Sequence, residues 1–378
     1  MLTLNYTQSL LNLQEVIVKK VITTKESTVI DIEMPKKPHI CPCCSCLTSF
    51  VHDYRYQPVK DIPAFGAKII LNYRKRRYVC PHCGKRFSES HPFVPKYHRM
   101  TTRLVAHIFE KLRSEYSFTS VSKELNLSVS TIIRVFDILS VPRPKKLPRV
   151  FAIDEFKGNT GNEKYQAIIT DPASKRVLDI LPCRSQGELI TYLKQWNTKE
   201  RKRVKYFVSD MWQPYTEVAS AFFKNSVQIV DRYHFIRQMV WAFEKVRKRV
   251  QKRYGKEYRL LFKHSRRLLI KHEKKLKEYE KEQVNMILSL SGEMLYAYIL
   301  KERFYKIPEY CECSKTLVNW RTGILNSFDA PYSNGFTEGC NNKIKVLKRN
   351  AYGYRNFERF RKRILHCFSY KNIIAAQC

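Results

Sequence analysis

The sequence predicts a multidomain α+β protein, in which a cysteine-rich β module and a small helical domain precede an α/β domain with an all-helical insertion. Three observations predict this order. Six of the twelve cysteines lie within residues 41–83, and three prolines interrupt the chain within residues 142–148. After the prolines, short apolar runs alternate with stretches of helical periodicity. A chain of 378 residues is long enough for two or three domains with separate cores.

The composition is dominated by a net charge of +36, from 70 Lys and Arg residues against 34 Asp and Glu residues. Such an excess is typical of proteins that bind nucleic acids, because basic side chains at phosphates release condensed counterions. No apolar run reaches the roughly 18 residues of a membrane span. Polar residues also interrupt the leucines of the N-terminus, so no signal peptide is predicted. We therefore expect a cytoplasmic, nucleoid-associated protein.

The first element is a metal-binding module over residues 39–90, with two Cys-x-x-Cys pairs. Two residues between thiolates let both bond one tetrahedral ion from a tight turn, as in a zinc ribbon. Cys43 and Cys46 form a competing pair of the same spacing, but the Cys-Pro start that the other two pairs share argues against it. We expect one structural zinc ion with four ligands: Cys41, Cys44, Cys80 and Cys83.

The second element is a predicted helix-turn-helix. Residues 118–125 and 129–139 have helical periodicity, and Asn126 suits the left-handed conformation of the turn between them. A helical hairpin that only packs is the alternative interpretation. The expected internal core is Val121, Leu125, Ile132, Val135 and Phe136. The residues expected to face the DNA major groove are Ser130, Thr131 and Arg134.

The third element begins after the proline-rich linker. Its predicted order is β-β-β-α-β-α-β, which is that of a ribonuclease-H-like α/β fold. The predicted elements are strands at 149–157, 164–170 and 176–182, a helix at 187–196, a strand that ends at Asp210, a helix, and a strand at 227–230. Residues 233–310 then read as almost wholly helical and strongly basic.

The helical insertion is the most basic part of the chain. Residues 245–277 hold fifteen Lys or Arg against two Glu. A solvated helical face is the ordinary interpretation of such a run. Because like charges repel unless something neutralises them, we favour a track for DNA.

Three acids stand in distinctive contexts. Asp154 ends the apolar run that starts at Val150, Asp210 ends the apolar run that starts at Tyr206, and Glu338 opens a helix. Carboxylates at strand ends and a helix start can converge on hard divalent cations, and two cations about 4 Å apart can drive phosphodiester chemistry. A single acid at a strand end is more often a turn or cap residue, and Glu155 and Asp171 are assigned to turns and surface.

Further candidates flank these acids. Basic residues on the helix of Glu338 are expected to contact DNA: Lys345, Lys348 and Arg349. Tyr352, Tyr354 and Arg355 follow as plausible DNA contacts. Asp231 and His234 are candidates for an accessory role, with a structural hydrogen-bonded pair as the alternative. Trp212 is a candidate to stack on a flipped base, with a core tryptophan as the alternative.

These motifs together resemble the DDE transposases of bacterial insertion sequences, most closely the ISL3 family, over nearly the whole chain. The residues that carry the resemblance are the first Cys-x-x-Cys pair, Arg76-Arg77-Tyr78-x-Cys80-Pro81-x-Cys83-Gly84, the Asp154 strand, Ser209-Asp210-Met211-Trp212, Asp231-Arg232-Tyr233-His234, and Ser333 through Phe357. The resemblance implies that Asp154, Asp210 and Glu338 are catalytic ligands of Mg²⁺ or Mn²⁺. It also implies an enzyme that cuts double-stranded DNA at the terminal inverted repeats of its element and joins the 3′-ends to a target, as a homodimer on paired ends.

Two other functions remain open from the sequence. One is a DNA-binding regulator derived from a transposase, against which the intact set of acids argues. The other is a metal-dependent nuclease that does not join strands. The expected domains are N-terminal strands and zinc ribbon (1–95), helix-turn-helix (96–141), linker (142–148), and catalytic domain (149–378) with its insertion at about 235–325.

Overall fold

The computed structural model describes residues 11–13, 15–95, 98–304 and 319–369. The chain divides into two compact units. One, the N-terminal unit, joins Met1–Pro142 with Val346–Cys378, and the other, the α/β unit, is Arg143–Lys345. The first division falls at the proline-rich linker. The sequence-based boundaries assign residues 346–369 to the catalytic domain, whereas in the structure they pack with the N-terminal unit.

The N-terminal unit is built on a five-stranded sheet and a two-stranded hairpin. Its strands are β1 (Ile17–Thr23), β2 (Ser27–Glu33), β3 (His39–Ile40), β4 (Leu47–Thr48), β5 (Val51–Lys60), β6 (Lys68–Val79) and β7 (Arg86–Ser88). The main sheet has the order β1-β2-β6-β5, and β7 also pairs with β6. In this sheet β2 and β6 pair parallel, and the other described pairs are antiparallel. Along β6, alternate side chains such as Leu71 and Tyr73 are fully buried, as expected for a strand with one face on the core.

The helix-turn-helix prediction is confirmed. The helices are α1 (Thr102–Lys111), α2 (Phe118–Leu125) and α3 (Val129–Asp137). Ser117 and Ser128 cap α2 and α3 by accepting backbone N–H groups, and Asn126 takes the left-handed conformation at φ 54°. All five predicted core residues lie in one buried cluster with Leu104 and Ile108 of α1.

The C-terminal segment completes this helical domain. Two further helices are α13 (Gly335–Asn350) and α14 (Phe357–Phe368). The guanidinium of Arg363 is fully buried and donates to the carbonyls of Ser114 (2.8 Å) and Tyr116 (2.6 Å). Arg359 forms a two-bond ion pair with Asp137, at 2.9 and 2.7 Å. Helix α14 therefore packs against the helix-turn-helix as part of its structure.

One predicted DNA contact is overturned by this packing. Tyr354 is buried, and its ring stacks on Phe360 at a centroid distance of 4.6 Å. It therefore belongs to the core. Tyr352 and Arg355 are exposed.

Replacing Arg363 by Met is expected to destabilise the helix-turn-helix by about 3 kcal/mol, because two buried carbonyls lose their donor at roughly 1–3 kcal/mol each. Hydrogen exchange of α2 and α3 amides in the full-length chain measures the effect. Arg355→Met, at an exposed arginine of the same segment, is the matched control. Unchanged protection of α2 in the Arg363 variant would contradict the role given to α14.

The α/β unit holds a five-stranded sheet of order β10-β9-β8-β11-β12. Its strands are β8 (Val150–Phe156), β9 (Gln166–Asp171), β10 (Arg176–Leu181), β11 (Tyr206–Ser209) and β12 (Val227–Val230). The first three pair antiparallel, and β8, β11 and β12 run parallel. The helices between them are α4 (Gln186–Lys194), α5 (Thr198–Arg201) and α6 (Gln213–Phe222). Apart from the short α5, this is the order the sequence predicts.

The insertion follows β12 and is helical throughout its described part. Its helices are α7 (Arg232–Gln251), α8 (Lys256–His264), α9 (Arg266–Ile270), a 3₁₀ turn (Glu273–Lys275), α10 (Glu278–Ser289), α11 (Gly292–Phe304) and α12 (Arg321–Asp329). It has its own apolar core, in which Phe243, Val250 and Phe262 take part. Residues 305–318 of the predicted insertion lie outside the described residues. Within the described chain, no helix is long and apolar enough to span a membrane.

Candidate functional site

The four predicted zinc ligands lie together in the N-terminal unit. Their Sγ atoms are all within 4.8 Å of one another. The Sγ atoms of Cys41 and Cys83 are 3.6 Å apart, and those of Cys44 and Cys80 are 3.5 Å apart. Four sulfurs at about 2.3 Å from one tetrahedral ion would be about 3.8 Å apart. The donor set therefore fits a zinc ion.

The backbone gives both cysteine pairs the same turn. At Cys41 and at Cys80, the N–H donates to the carbonyl five residues later, at 2.9 and 3.0 Å. The N–H four residues later donates back to the cysteine carbonyl, at 3.0 and 2.9 Å. The residues at that fourth position, Ser45 and Gly84, both have positive φ, of 58° and 70°. The hydrogen bond from the N–H of Cys44 also lowers the pKa of Cys41 to about 6, which favours the thiolate.

This symmetry bears on the competing pair. The first turn begins at Cys41, so Cys43 corresponds to His82 of the second turn and is exposed like it. A second close group does exist, formed by Cys44, Cys46 and His82. It has three members and shares Cys44 with the first group. The pairing that includes Cys41 therefore agrees with both the hydrogen bonds of the two turns and the sulfur distances.

The three predicted catalytic acids line one open cavity of about 510 Å³ in the α/β unit. Its lining is Asp154, Glu155, Phe156, Lys157, Tyr165, Asp210, Tyr233, His234, Arg237, Glu338, Asn341, Asn342 and Lys345. The acids come from β8, from the residue after β11, and from the first turn of α13. The carboxylates of such a site can bind divalent cations. Its lysine and arginine side chains can bind the phosphate of a phosphodiester.

Asp154 is held firmly in this cavity. Asp154 ends the apolar run but not the strand, because β8 continues through Phe156. One carboxylate oxygen accepts the N–H of Glu155 (2.8 Å), and the other accepts the side-chain amide of Asn341 (2.9 Å). Burial raises the pKa of Asp154 to about 7, and the charge of Asp210 acts in the same direction. A bound cation would favour the ionised form.

Asp210 follows β11 directly and is half-buried. Burial raises its pKa to about 6, and the charge of Glu155 acts in the same direction. Its Oδ1 is buried and has no hydrogen-bond partner. An unpartnered carboxylate oxygen in a polar cavity is available for a cation.

Glu338 lies beside a second pair of predicted residues. Its carboxylate, that of Asp231 and the ring of His234 have ligand atoms within 4.8 Å of one another. Asp154 and Asp210 belong to none of the close ligand groups found in the described ranges. Burial, followed by the charge of Asp231, raises the pKa of Glu338. Glu338 therefore lies on the Asp231 side of the cavity.

One carboxylate oxygen of Asp231 accepts a hydrogen bond and the other has no hydrogen-bond partner. Its Oδ1 accepts the N–H of Asn334 (3.1 Å), and its buried Oδ2 lies 3.9 Å from Nε2 of His234 without a hydrogen bond. On its other side, the ring of His234 contacts Arg237, with 3.2 Å between Nδ1 and Nη2. Of the accessory candidates, His234 lines the cavity and Asp231 is buried beside His234 and Glu338. Trp212 packs on the sheet core with its ring edge-on to Tyr215 at 4.6 Å.

The assignment of Glu155 to a turn was wrong. It lies within β8, lines the cavity, and pairs with Arg184 at 2.6 Å. Sequence reasoning treated it and Asp171 alike because both stand near strand ends. Asp171 does cap a turn, since its carboxylate accepts the N–H of Ala173 and the hydroxyl of Ser174.

Sequence reasoning missed Arg237. Its guanidinium lies over the rings of Tyr233 (5.3 Å) and Trp241 (5.0 Å), one turn before and after it on α7. Each aromatic residue is four positions from Arg237, and this aromatic–arginine–aromatic spacing on a predicted helix was the available signal. Arg237 supplies positive charge at the rim of the acidic cavity.

The predicted DNA contacts fall in both units. In the N-terminal unit, Ser130 and Arg134 are exposed on α3 and Thr131 is half-buried. Arg349 is exposed and Lys348 half-buried in the part of α13 that belongs to that unit. Lys345 is exposed in the α/β unit, at the acidic cavity. The structure therefore groups Lys345 with the acids and not with the helix-turn-helix.

The basic run of the insertion is split between two surfaces. One side forms an open groove of about 660 Å³ between α7 and α8. The lysines and arginines exposed in this groove form no ion pair with a described acid: Lys248, Lys252, Lys256, Arg259 and Lys263. On the adjoining face, Arg249 and Arg253 both pair with Glu293.

Three family profiles match the chain. A profile of the ISL3 group described as transposase matches residues 151–310 and 305–364. Profiles described as the helix-turn-helix domain of transposase family ISL3 and as the zinc finger of transposase IS204/IS1001/IS1096/IS1165 match residues 89–137 and 37–83. The matched regions follow one another in the order of the zinc ribbon, helix-turn-helix and α/β parts.

Two curated proteins are similar in sequence. The transposase for insertion sequence element IS1001 of Bordetella parapertussis is 26% identical over 365 residues, which cover 88% of this chain and 89% of that protein. A Lactococcus lactis subsp. lactis protein named ATP-dependent protease is 40% identical over 82 residues. That second match covers 18% of this chain and 26% of the other, too little of either to indicate a function.

Proposed function

The chain belongs to the ISL3 family of transposases, and from this we propose that it binds the terminal inverted repeats of its own insertion sequence, cleaves the DNA there and joins the ends to a target. The observation that carries the proposal is the cavity that Asp154, Asp210 and Glu338 line together. They reach it from two parallel strands and from a helix more than a hundred residues later in the chain. A regulator without catalysis would have no use for three acids at one cavity.

The ribonuclease-H-like assignment of the α/β unit is part of this proposal. Its support is the succession of three antiparallel strands, a helical segment, a parallel strand, a helix and a last parallel strand. The helical insertion follows the last strand and precedes the helix that carries Glu338. Parallel strands end at the same edge of a sheet, which brings the end of β11 beside β8.

The acids of the cavity are proposed to hold Mg²⁺ or Mn²⁺. When bound, two such ions would activate a water or a DNA 3′-hydroxyl and stabilise the leaving oxygen. Magnesium needs only a few carboxylates beside phosphate oxygens and water. Asn341 orients one oxygen of Asp154, and Arg237 and Lys345 offer positive charge to the DNA phosphate. Asp231 and His234 are proposed to support Glu338 from the same side of the cavity.

The N-terminal unit is proposed to recognise the DNA ends. Cys41, Cys44, Cys80 and Cys83 would hold one zinc ion, which the sulfur distances support. Three side chains of α3, of which Thr131 is half-buried and the other two are exposed, are proposed to read bases in the major groove: Ser130, Thr131 and Arg134. Lys345, Lys348 and Arg349 are proposed to contact phosphates, on a homodimer that pairs two ends.

The test is an assay on duplexes that carry the inverted repeats flanking the gene, with purified full-length protein and Mg²⁺. Cleavage at the repeat ends with joined products supports the proposal. Cleavage without joined products would favour a nuclease, and binding without cleavage would favour a regulator. Duplexes with scrambled repeats show whether the ends are recognised.

The salt dependence of binding should separate the two surfaces of the insertion. Lys248→Gln with Lys252→Gln removes two cations without an acidic partner, and each phosphate contact contributes about 0.9 to the log–log salt slope. We expect the slope on non-specific duplex to fall by about one to two.

The matched variant is Arg249→Gln with Arg253→Gln, which removes the same charge. Because both arginines already pair with Glu293, we expect little change in slope. Equal losses in the two variants would mean that DNA does not distinguish the groove from the adjoining surface. Binding is measured by fluorescence anisotropy at several salt concentrations.

A further inference from the structure

Tyr352 combines two unfavourable features. Its side chain is 101% exposed, and its backbone is in the left-handed region at φ 54°. That region is strained for a bulky residue and suits Gly or Asn. The turn itself is well formed, since the N–H of Gly353 donates to the carbonyl of Lys348 at 2.9 Å and ends α13. Neither packing nor turn formation explains a tyrosine here.

The turn is fixed on the helix-turn-helix. The side-chain amide of Asn350 donates to the carbonyl of Glu115 at 3.0 Å. An open cavity of about 1070 Å³ lies between the turn and α2. Its lining includes exposed side chains of α2 (Thr119, Ser120 and Lys123) and of the turn (Arg349 and Tyr352).

The position of α2 indicates what meets this surface. When a helix-turn-helix docks on DNA, its second helix enters the major groove and its first helix crosses the backbone. The exposed face of α2 therefore lies toward phosphates, and the turn extends that face. Lys123 and Arg349 give it positive charge, and neither forms an ion pair with an acid among the described residues.

We propose that the Arg349–Tyr352 turn is a second DNA contact of the helix-turn-helix domain. Arg349 and Lys123 bind phosphates beside the site of α3, and the ring of Tyr352 packs against the sugars of the same backbone. This inference rests on the proposed DNA-binding function. Contacts to sugars and phosphates carry no sequence information directly, so this contact strengthens binding more than it selects sequence.

The test uses two substitutions of Tyr352 in the full-length chain and a duplex of the gene-flanking inverted repeat. Tyr352→Asn removes the ring and suits the backbone, so the melting temperature should rise by about 2 °C. The Kd for the duplex should rise about tenfold, because the apolar contact of the ring is lost. Tyr352→Phe keeps the ring, and its Kd should stay within about twofold of the wild type. Opposite changes in stability and affinity are not expected from a tyrosine that only supports the fold.

Phe65 provides the control for strain relief. It is 91% exposed at φ 52° and precedes Gly66, which also has positive φ. Phe65→Asn should raise the melting temperature without changing the Kd. An unchanged Kd in Tyr352→Asn, or an equal loss in Phe65→Asn, overturns the inference. If the wild-type chain binds no DNA, the proposed function fails instead.

Discussion

Replacing Asp154 or Asp210 by Asn, or Glu338 by Gln, is expected to lower cleavage and strand transfer by about a thousandfold or more. Each amide keeps the shape of the side chain and removes the charge that holds a divalent cation. Losing several kcal/mol of transition-state stabilisation has an effect of this size on a rate. Cleaved and joined products are measured on gels with the inverted-repeat duplex.

Binding of the same duplex should be retained in these variants, because the side chains proposed to read its bases belong to the N-terminal unit. A mobility shift on the same DNA checks this. Affinity without metal is expected to rise slightly, since an unpaired carboxylate repels phosphate. Loss of binding together with cleavage would mean that the acids support the fold rather than the chemistry.

Asp171→Asn is the matched control. Asp171 is also a buried acid at the end of a strand, but its carboxylate is used in a turn. Its variant should keep activity within about tenfold. Glu155→Gln, which the sequence alone would offer as a second control, is unsuitable because Glu155 lines the cavity and pairs with Arg184. Near wild-type cleavage by Asp210→Asn would contradict the proposed set of acids.

Local patterns predicted much of the fold because they act over a few residues. The strand Val227–Val230 and the start of α2 fall where the sequence placed them. Asn126 and Ser128 define the helix-turn-helix by backbone conformation and capping, which depend on neighbours in the chain. The four clustered cysteines could be predicted because two thiolates that bind one tetrahedral ion from the same turn need a fixed spacing in the chain.

Long-range packing decided what the sequence did not predict. Arg363 looks like one more basic residue of a DNA-binding helix, but it is buried by carbonyls about 250 positions earlier. Tyr354 changes from a DNA contact to a core residue because α14 lies against α2 and α3. In the cavity, Asp231 was placed by its motif, whereas its closeness to Glu338 depends on how α13 packs after the insertion.

Zinc removal should abolish the order of both cysteine turns. Ligation of structural zinc contributes about 10–16 kcal/mol in zinc-finger peptides, and the hairpin of β3 and β4 has only two residues in each strand. The neighbouring sheet has its own apolar core, built around Ile32, Leu71 and Tyr73. We therefore expect chelation to disorder the turns locally while the sheet remains folded.

Cys80→Ser is expected to lower bound zinc from one per chain to near zero and to weaken binding to the inverted repeat. Cys80 is fully buried, and its Sγ lies 3.5 Å from that of Cys44. Cys43→Ser is the matched control, because Cys43 has the same spacing from Cys46 but is exposed outside the four-cysteine cluster. Metal analysis and hydrogen exchange of the full-length variants measure both effects. Zinc loss in Cys43→Ser with retention in Cys41→Ser would show that the ion is held by the competing pair. It would contradict the register that the hydrogen bonds of the two turns define.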